Sequence, residues 1–344
     1  MIVEHFPDRT ILVEGKEYLY FGGTAYLGLP TNASFQNTLA QSIVKWGSFY
    51  GSSRNSNVKL SVFEKAESLF AKQIGTEHCV TTSSGALAGK LVLENLSKHD
   101  RAFYHYPKTH PSILNNKSLS LFVEGSLHPD LLNNISEAIV ITVDAVLALE
   151  VEPTAFGFLN SISSQKKITL VVDESHSLGI VGKGGEGIFN TISNEKLTRK
   201  IIIASLGKAL GISGGIIASD KSFIASIKND DLFISSSCAN PAYLEAHIRS
   251  QELIRGQRKK LEENLNFLFK DLELSSIFKW NKNYPVIYCE NEGVYNELYR
   301  NGIIITNFRY PNYRGAMNRI VITANHTQDD LKKLKRALSS FEGC

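Results

Sequence analysis

Four short runs, "HCVTT", "AIVITVDAV", "KITLVVDES" and "KIIIASLG", constrain this chain more than any other feature. They are strand-length and largely apolar with little polar alternation, so each has two faces to bury, and helical stretches separate them. That is the pattern of a largely parallel sheet covered by helices on both sides, an α/β domain. With 344 residues and 43% hydrophobic content, the chain is long enough for such a core plus a second, smaller domain.

The flanks read differently. "ILVEGKEYLYF" predicts a strand pair broken at Gly15, followed by "YLGLP" and a helix from about Asn32 to Lys45. In "KLSVFEKAESLFAKQIG", Ser61 and Glu64 have capping-box spacing, Phe63, Ala66, Phe70 and Ile74 repeat at helical period, and Gly75 is a stop. From about Pro241 the pattern becomes a long helix through about Leu272, then strands in "YPVIYCE", "GIIITNF" and "NRIVIT", and a closing helix "TQDDLKKLKRALSSF". The reading is an N-terminal arm (1–45), a large α/β domain (46–240) and a small C-terminal α+β domain (241–344).

Charge and cysteine usage narrow the partners. A net charge of +3, from 37 basic and 34 acidic residues without a run of one sign, gives no footprint for nucleic acid or an anionic membrane. Cys79, Cys238, Cys289 and Cys344 lie far apart without a CxxC, which predicts neither a disulfide framework nor a thiolate metal site. No stretch approaches the roughly 18 to 20 apolar residues of a membrane helix, and no export signal is visible, so the cytoplasm is the expected compartment.

Two glycine motifs mislead. Gly182, Gly184 and Gly187 spell GxGxxG, but "SHSLGIV" separates them from the preceding strand and only "IFNTIS" follows, whereas a dinucleotide fingerprint leaves a strand directly and opens a long helix. Gly207-Lys208 resembles the end of a phosphate loop, yet Ile202 occupies the position where that loop needs glycine.

Lys208 therefore needs its own explanation. It is the one charge in "IIIASLGKALGISGGIIAS". Small neighbours let a flat ligand approach and strip the amine of water, which lowers its pKa toward nucleophilic use on a carbonyl. Asp173, 35 residues upstream, ends a buried strand, with His176 three positions on. Strand C-terminal ends are where open α/β sheets bind ligands. In "TTSSGALAGK", Ser84, Gly85 and Ala86 begin a helix directly after a strand and offer free N–H groups to an anion. A lysine for an imine, an acid for a protonated pyridine and a helix terminus for a phosphate are what pyridoxal 5'-phosphate asks of a protein.

At this point a family resemblance is evident. "VVDESHSLGIVGKGGEGI" and "SLGKALGISGG" resemble the D-E-A-H-S-x-G and T-x-x-K-A-x-G-x-x-G-G motifs of the α-oxoamine synthases, which are fold-type-I pyridoxal phosphate enzymes. "AYLGLP", "SSGALA", "THPSI", "FISSSCANP" and "RIVITANHTQDDL" extend the likeness over most of the chain. The resemblance implies a large, mainly parallel seven-stranded sheet, pyridoxal phosphate as cofactor, and a homodimer with shared sites.

It also implies roles. Lys208 would be the imine lysine and, once freed, the group that moves the substrate's Cα proton. Asp173 would pair with the pyridinium nitrogen and His176 with the phenolate oxygen. His110 of "KTHPSI" would stack over the ring and help activate the thioester, although nearby His105 is a second candidate. Ser84, Gly85, Ala86, Ser205 and, from the other subunit, Ser237 would hold the phosphate. Asp144 of "ITVDAV" stands where the family has the glutamate of T-E-G/S and joins the cofactor set. Arg319 of "NRIVIT" would clasp the substrate carboxylate, a task suited to a planar bidentate donor. Arg309 of "NFRYP", similar to R-P-P-T, would border the acyl or CoA channel.

Departures from the pattern gather around substrate rather than cofactor. Thr24 or Ala25 replaces an asparagine of S-N-D/N-Y-L-G-L, and "LALEVEP" replaces S-M-D-G-D. The implied reaction is decarboxylative condensation of alanine, glycine or serine with an acyl thioester of CoA or a carrier protein. Transamination on the same fold, or an idle homologue that keeps the fold, are the alternatives. No metal is expected.

Overall fold

A computed structural model describes residues 1–308 and 317–341. Strands β1 (Thr10–Val13) and β2 (Lys16–Phe21) lead to helices α1 (Ala33–Trp46) and α2 (Ser61–Ile74). Strand β3 (His78–Thr82), helix α3 (Gly85–Ser97) and strand β4 (Ala102–His105) follow, then three two-residue strands, β5 (Leu119–Ser120), β6 (Phe122–Val123) and β7 (Ser126–Leu127). The middle of the chain holds β8 (Glu137–Asp144), β9 (Lys166–Asp173), β10 (Leu197–Ser205) and β11 (Gly215–Ser219). Four helices come next: α4 (Lys221–Lys228), α5 (Asp231–Ser235), α6 (Pro241–Arg249) and α7 (Gln251–Phe269). The chain closes with β12 (Phe278–Trp280), β13 (Val286–Cys289), α8 (Gly293–Arg300), β14 (Ile303–Phe308), β15 (Met317–Val321) and α9 (Gln328–Ser339).

The main sheet has seven strands in the order β3-β11-β10-β9-β8-β4-β5. Its strands are buried on both faces, as the apolar runs require. Ile168, Leu170 and Val172 of β9 join one core, with Ile202 and Ala204 of β10, against Phe63, Ala66 and Phe70 of α2. The intervening Val171, with Ile201 and Ile203, joins a second core against Leu91 and Val92 of α3 and Phe223 and Ile227 of α4. Period-two alternation thus sends successive side chains into two separate interiors.

One strand breaks the parallel rule. β11 runs antiparallel to both β10 and β3. Ser205 pairs with Gly215, so the intervening residues 206–214 turn back at the same rim of the sheet. Lys208 is therefore held at the C-terminal edge and is not carried off on a crossover helix.

The second sheet, β1-β2-β14-β15-β13-β12, joins the two ends of the chain. The β1–β2 turn places Glu14 and Gly15 at positive φ, and β2 pairs with β14 in parallel. Several local expectations shift. Asn32 caps α1 as its side chain accepts from the Ser34 and Phe35 amides. At α2, however, Leu60 is the cap residue and Ser61 is already helical, so no side-chain cap forms. The capping box occurs instead at Thr327 and Asp330 of α9. The expected helix from Pro241 to about Leu272 is two helices, since the Ser250 amide donates to the His247 carbonyl and closes a tighter turn there. The GxGxxG segment is a tight loop with Gly182, Gly185 and Gly187 at positive φ, followed only by a one-turn helix, as its sequence context anticipated. Among the described residues no helix is long and apolar enough to cross a membrane, and no cluster of potential metal ligands occurs.

Candidate active site

The C-terminal ends of β3, β8, β9 and β10 lie along one rim of the main sheet. Asp144 and Asp173 end adjacent strands in register, both only 6% exposed. Burial, then the neighbouring Asp173, pushes the Asp144 carboxyl well above its ordinary range. Asp144 Oδ2 accepts the His110 amide at 2.8 Å, and Asp173 Oδ1 accepts the Ser175 amide at 2.8 Å. Lys208 is half-buried by surface area, but its amine lies deep enough for desolvation to lower its pKa; Asp173 and Asp144 oppose that shift and Arg319 reinforces it. An amine with a depressed pKa beside two carboxylates is a nucleophile held in place by charge.

The rim before α3 is built from close backbone approaches. Ser84 caps the helix, its Oγ accepting the Leu87 amide at 3.1 Å. A Cβ on Gly85 would lie 2.8 Å from the Ser205 Cα and 2.9 Å from its backbone nitrogen, so the helix start presses against the end of β10. That approach sets the Gly85 and Ala86 amides, at the positive end of α3, beside the end of β10. Ser205 is fixed in turn: its amide donates to Ser175 Oγ at 2.8 Å, and its Oγ accepts the Gly207 amide at 3.3 Å.

Two histidines face this space. His110 is exposed, Ser112 Oγ lies 2.7 Å from its Nδ1, and the same hydroxyl lies 3.5 Å from Asp173 Oδ2. Although the residue is exposed overall, partial desolvation of its ring lowers the His110 pKa; Asp173 opposes that and Lys208 adds to it. His105 is occupied elsewhere, with Nδ1 2.8 Å from Ser118 Oγ. His176 has its pKa pushed well below the ordinary value, first by burial and then by Lys208, Arg319 and His110, so its imidazole is neutral. Tyr26 Oη lies 3.0 Å from its Nδ1, and Tyr284 Oη donates to its carbonyl at 3.1 Å.

Arg319, on β15, closes the cleft from the second sheet. Its Nη2 donates to the Gly23 carbonyl at 3.4 Å and its guanidinium lies over Phe308 at 5.7 Å. Its Nε is buried with no hydrogen-bond partner, and no acid of the described residues forms an ion pair with it. A guanidinium whose Nε is buried without a partner, while Tyr288 and Gly23 engage it elsewhere, is complementary to an incoming carboxylate.

The structure thus brings together Lys208, Asp173, Asp144, His110, His176, Ser84, Gly85, Ala86, Ser205 and Arg319. Ser237 sits exposed in the loop between α5 and α6. Arg309 lies outside the described residues. Sequence reasoning missed Ser175, which ties Asp173 to Ser205, and Ser112, which links His110 to Asp173. The signal for Ser175 was present, since it stands where D-E-A-H has alanine. The donor set fits pyridoxal 5'-phosphate: an amine for its aldehyde, a buried carboxylate for its ring nitrogen, a neutral imidazole for its ring oxygen and a helix start for its phosphate.

The class I and II aminotransferase profile matches residues 158–338, more than half of the chain. The chain belongs to that family. The 8-amino-7-oxononanoate synthase of Aromatoleum aromaticum is 26% identical over 96% of this chain and 90% of its own length. The crystal structure of 8-amino-7-oxononanoate synthase from Francisella tularensis is 25% identical, with a TM-score of 0.70 over 94% of this chain and 97% of that one. Serine palmitoyltransferase of Sphingomonas wittichii, at 16% identity, shares the fold with a TM-score of 0.80 over 97% of this chain and 89% of its own. The likeness to α-oxoamine synthases read from the motifs, and the fold-type-I architecture it implies, are borne out.

Proposed function

We propose that this protein is a pyridoxal phosphate-dependent C-acyltransferase that condenses a small amino acid, alanine, glycine or serine, with an acyl thioester of CoA or a carrier protein, releasing carbon dioxide and the thiol. The observation that carries this reading is the deep-set Lys208 amine, lowered in pKa beside Asp173 and Asp144, opposite the buried and unpartnered Nε of Arg319. When bound, pyridoxal phosphate supplies an electron sink for charge developing at the substrate's α-carbon. Lys208 would hold that group through its aldehyde, and its amine, with its depressed pKa, would suit moving the proton at the substrate's α-carbon. Asp173 would pair with the ring nitrogen and favour its protonated form. His176 would hold the ring oxygen, and the Gly85 and Ala86 amides with Ser84 and Ser205 would hold the phosphate. Asp144 acts through the His110 backbone to set the imidazole at the thioester side of the cleft. Arg319 orients the carboxylate.

The same reading takes the protein as a cytoplasmic homodimer in which Ser237, apart from the cluster, reaches the partner's phosphate site, with Arg309 beside the acyl or CoA channel. It keeps residues 46–240 as the large domain, 241–344 as the small one and 1–45 as an arm whose hairpin adds to the second sheet. Incubating the loaded protein with each amino acid and a series of acyl thioesters, while measuring free thiol and carbon dioxide, tests it. Stoichiometric release of both is expected. No thiol from any pair would overturn it, and amino transfer to a keto acid without thiol would select transamination.

A further inference from the structure

His176 is gripped by three parts of the chain at once. Its ring belongs to the main sheet domain, Tyr26 reaches Nδ1 from the N-terminal arm, and Tyr284 reaches its carbonyl from the segment before β13. Tyr26 is 1% exposed, and burial raises its pKa, so its hydroxyl keeps its proton. The imidazole is neutral and carries one N–H. Tyr284 donates to the His176 carbonyl and also lies within hydrogen-bond reach of the Tyr26 hydroxyl, but Tyr26 is the hydroxyl set against a ring nitrogen, Nδ1.

We propose that Tyr26 is a positioning residue that donates its O–H to His176 Nδ1 and so fixes the Nε2–H tautomer, the one able to donate to the ring oxygen of pyridoxal phosphate. This rests on the function proposed above, because only an acceptor in the cleft gives the choice of tautomer a purpose. The opposite arrangement, Nδ1–H donating to Tyr26, would turn a bare Nε2 lone pair toward an anionic oxygen and lose a charge-assisted bond. A tyrosine is also better fixed than water for the task, since its ring is packed edge-on to the imidazole, with centroids 6.5 Å apart.

The test is 15N NMR of histidine-labelled protein incubated with pyridoxal 5'-phosphate, with the His176 signal assigned by its loss in His176→Asn. The native chain should show Nε2 protonated and Nδ1 unprotonated. Tyr26→Phe should lose that fixed pattern and weaken pyridoxal phosphate binding on the order of tenfold, the scale of one hydrogen bond to a charged group. A proton on Nδ1 in the native chain would overturn the proposal without any variant, as would a Tyr26→Phe protein with an unchanged spectrum and affinity. A missing adduct at Lys208 on the same sample would instead defeat the functional reading, so the two failures are told apart.

Discussion

Gly85→Ala probes the phosphate rim with a magnitude the structure supplies. The added methyl would meet the Ser205 Cα and Cβ at 2.8 Å and its nitrogen at 2.9 Å. Ordinary carbon contacts begin near 3.4 Å, so α3 and β10 must separate by roughly half an ångström, and both sides are backbone that yields poorly. Overpacking of this kind costs about 1–3 kcal/mol of stability. The same shift would lengthen an amide-to-phosphate bond by about half an ångström, and loss of one charge-assisted bond is worth about 1.5–3 kcal/mol, or roughly 10- to 150-fold in cofactor affinity. Spectroscopic titration of cofactor-free protein with pyridoxal 5'-phosphate reads the affinity, and denaturant unfolding reads the stability. Gly256→Ala is the control, because its Cβ meets nothing within 4 Å in the middle of α7, and it should stabilise by about 0.5–1 kcal/mol with unchanged affinity. A Gly85→Ala protein with native affinity and native stability would refute the idea that backbone contact at Ser205 positions the phosphate amides.

Arg319→Lys keeps the charge but loses the planar fork, so KM for the amino acid should rise at least tenfold while pyridoxal phosphate affinity stays within twofold, as steady-state kinetics and titration would show. Glu174, fully buried, has its pKa raised from 4.5 to about 7, first by burial, while bonds from Ser177 and the Ile188 amide oppose the shift. A raised folded-state pKa gives a contribution that is complete below about pH 4.5 and lost as pH rises through 7, about 3 kcal/mol in all. Denaturant unfolding at pH 5 and pH 8 should therefore show the native chain losing about 2.5 kcal/mol more stability than Glu174→Gln between the two; equal losses would contradict the assignment. Lys208 behaves with the opposite sense: because its folded-state pKa lies below the ordinary 10.5, its cost to cofactor-free protein should diminish as pH rises toward that value, and Lys208→Met should flatten the dependence above neutrality.

Much of this was written locally. The runs containing Val171, Ile203 and Val140 are apolar on both faces, and a buried strand leaves its last residue at a rim, so Asp173 and Lys208 could be placed near one another before any coordinates. Direction was not local. Nothing in "GGIIAS" distinguishes an antiparallel β11 from a parallel strand, yet that reversal is what keeps Lys208 at the rim. The break at Ser250 carries no glycine or proline and depends on a turn closed by His247. Tyr26 reads as core in "AYLGLP", which it is; its contact with His176 lies 150 residues along the chain and depends on the arm packing against the large domain. Ser61 has the composition of a cap but sits one residue inside the helix, where it makes no capping hydrogen bond.

The central claim is that the Lys208 amine bonds covalently to an aromatic aldehyde. Incubation of the native chain with pyridoxal 5'-phosphate, reduction with borohydride, and peptide mass analysis test it directly. One pyridoxyl phosphate adduct per chain, on the peptide bearing residue 208 and absent from Lys208→Met, is the predicted result. An unmodified residue 208, or an adduct spread over surface lysines with none there, would contradict it.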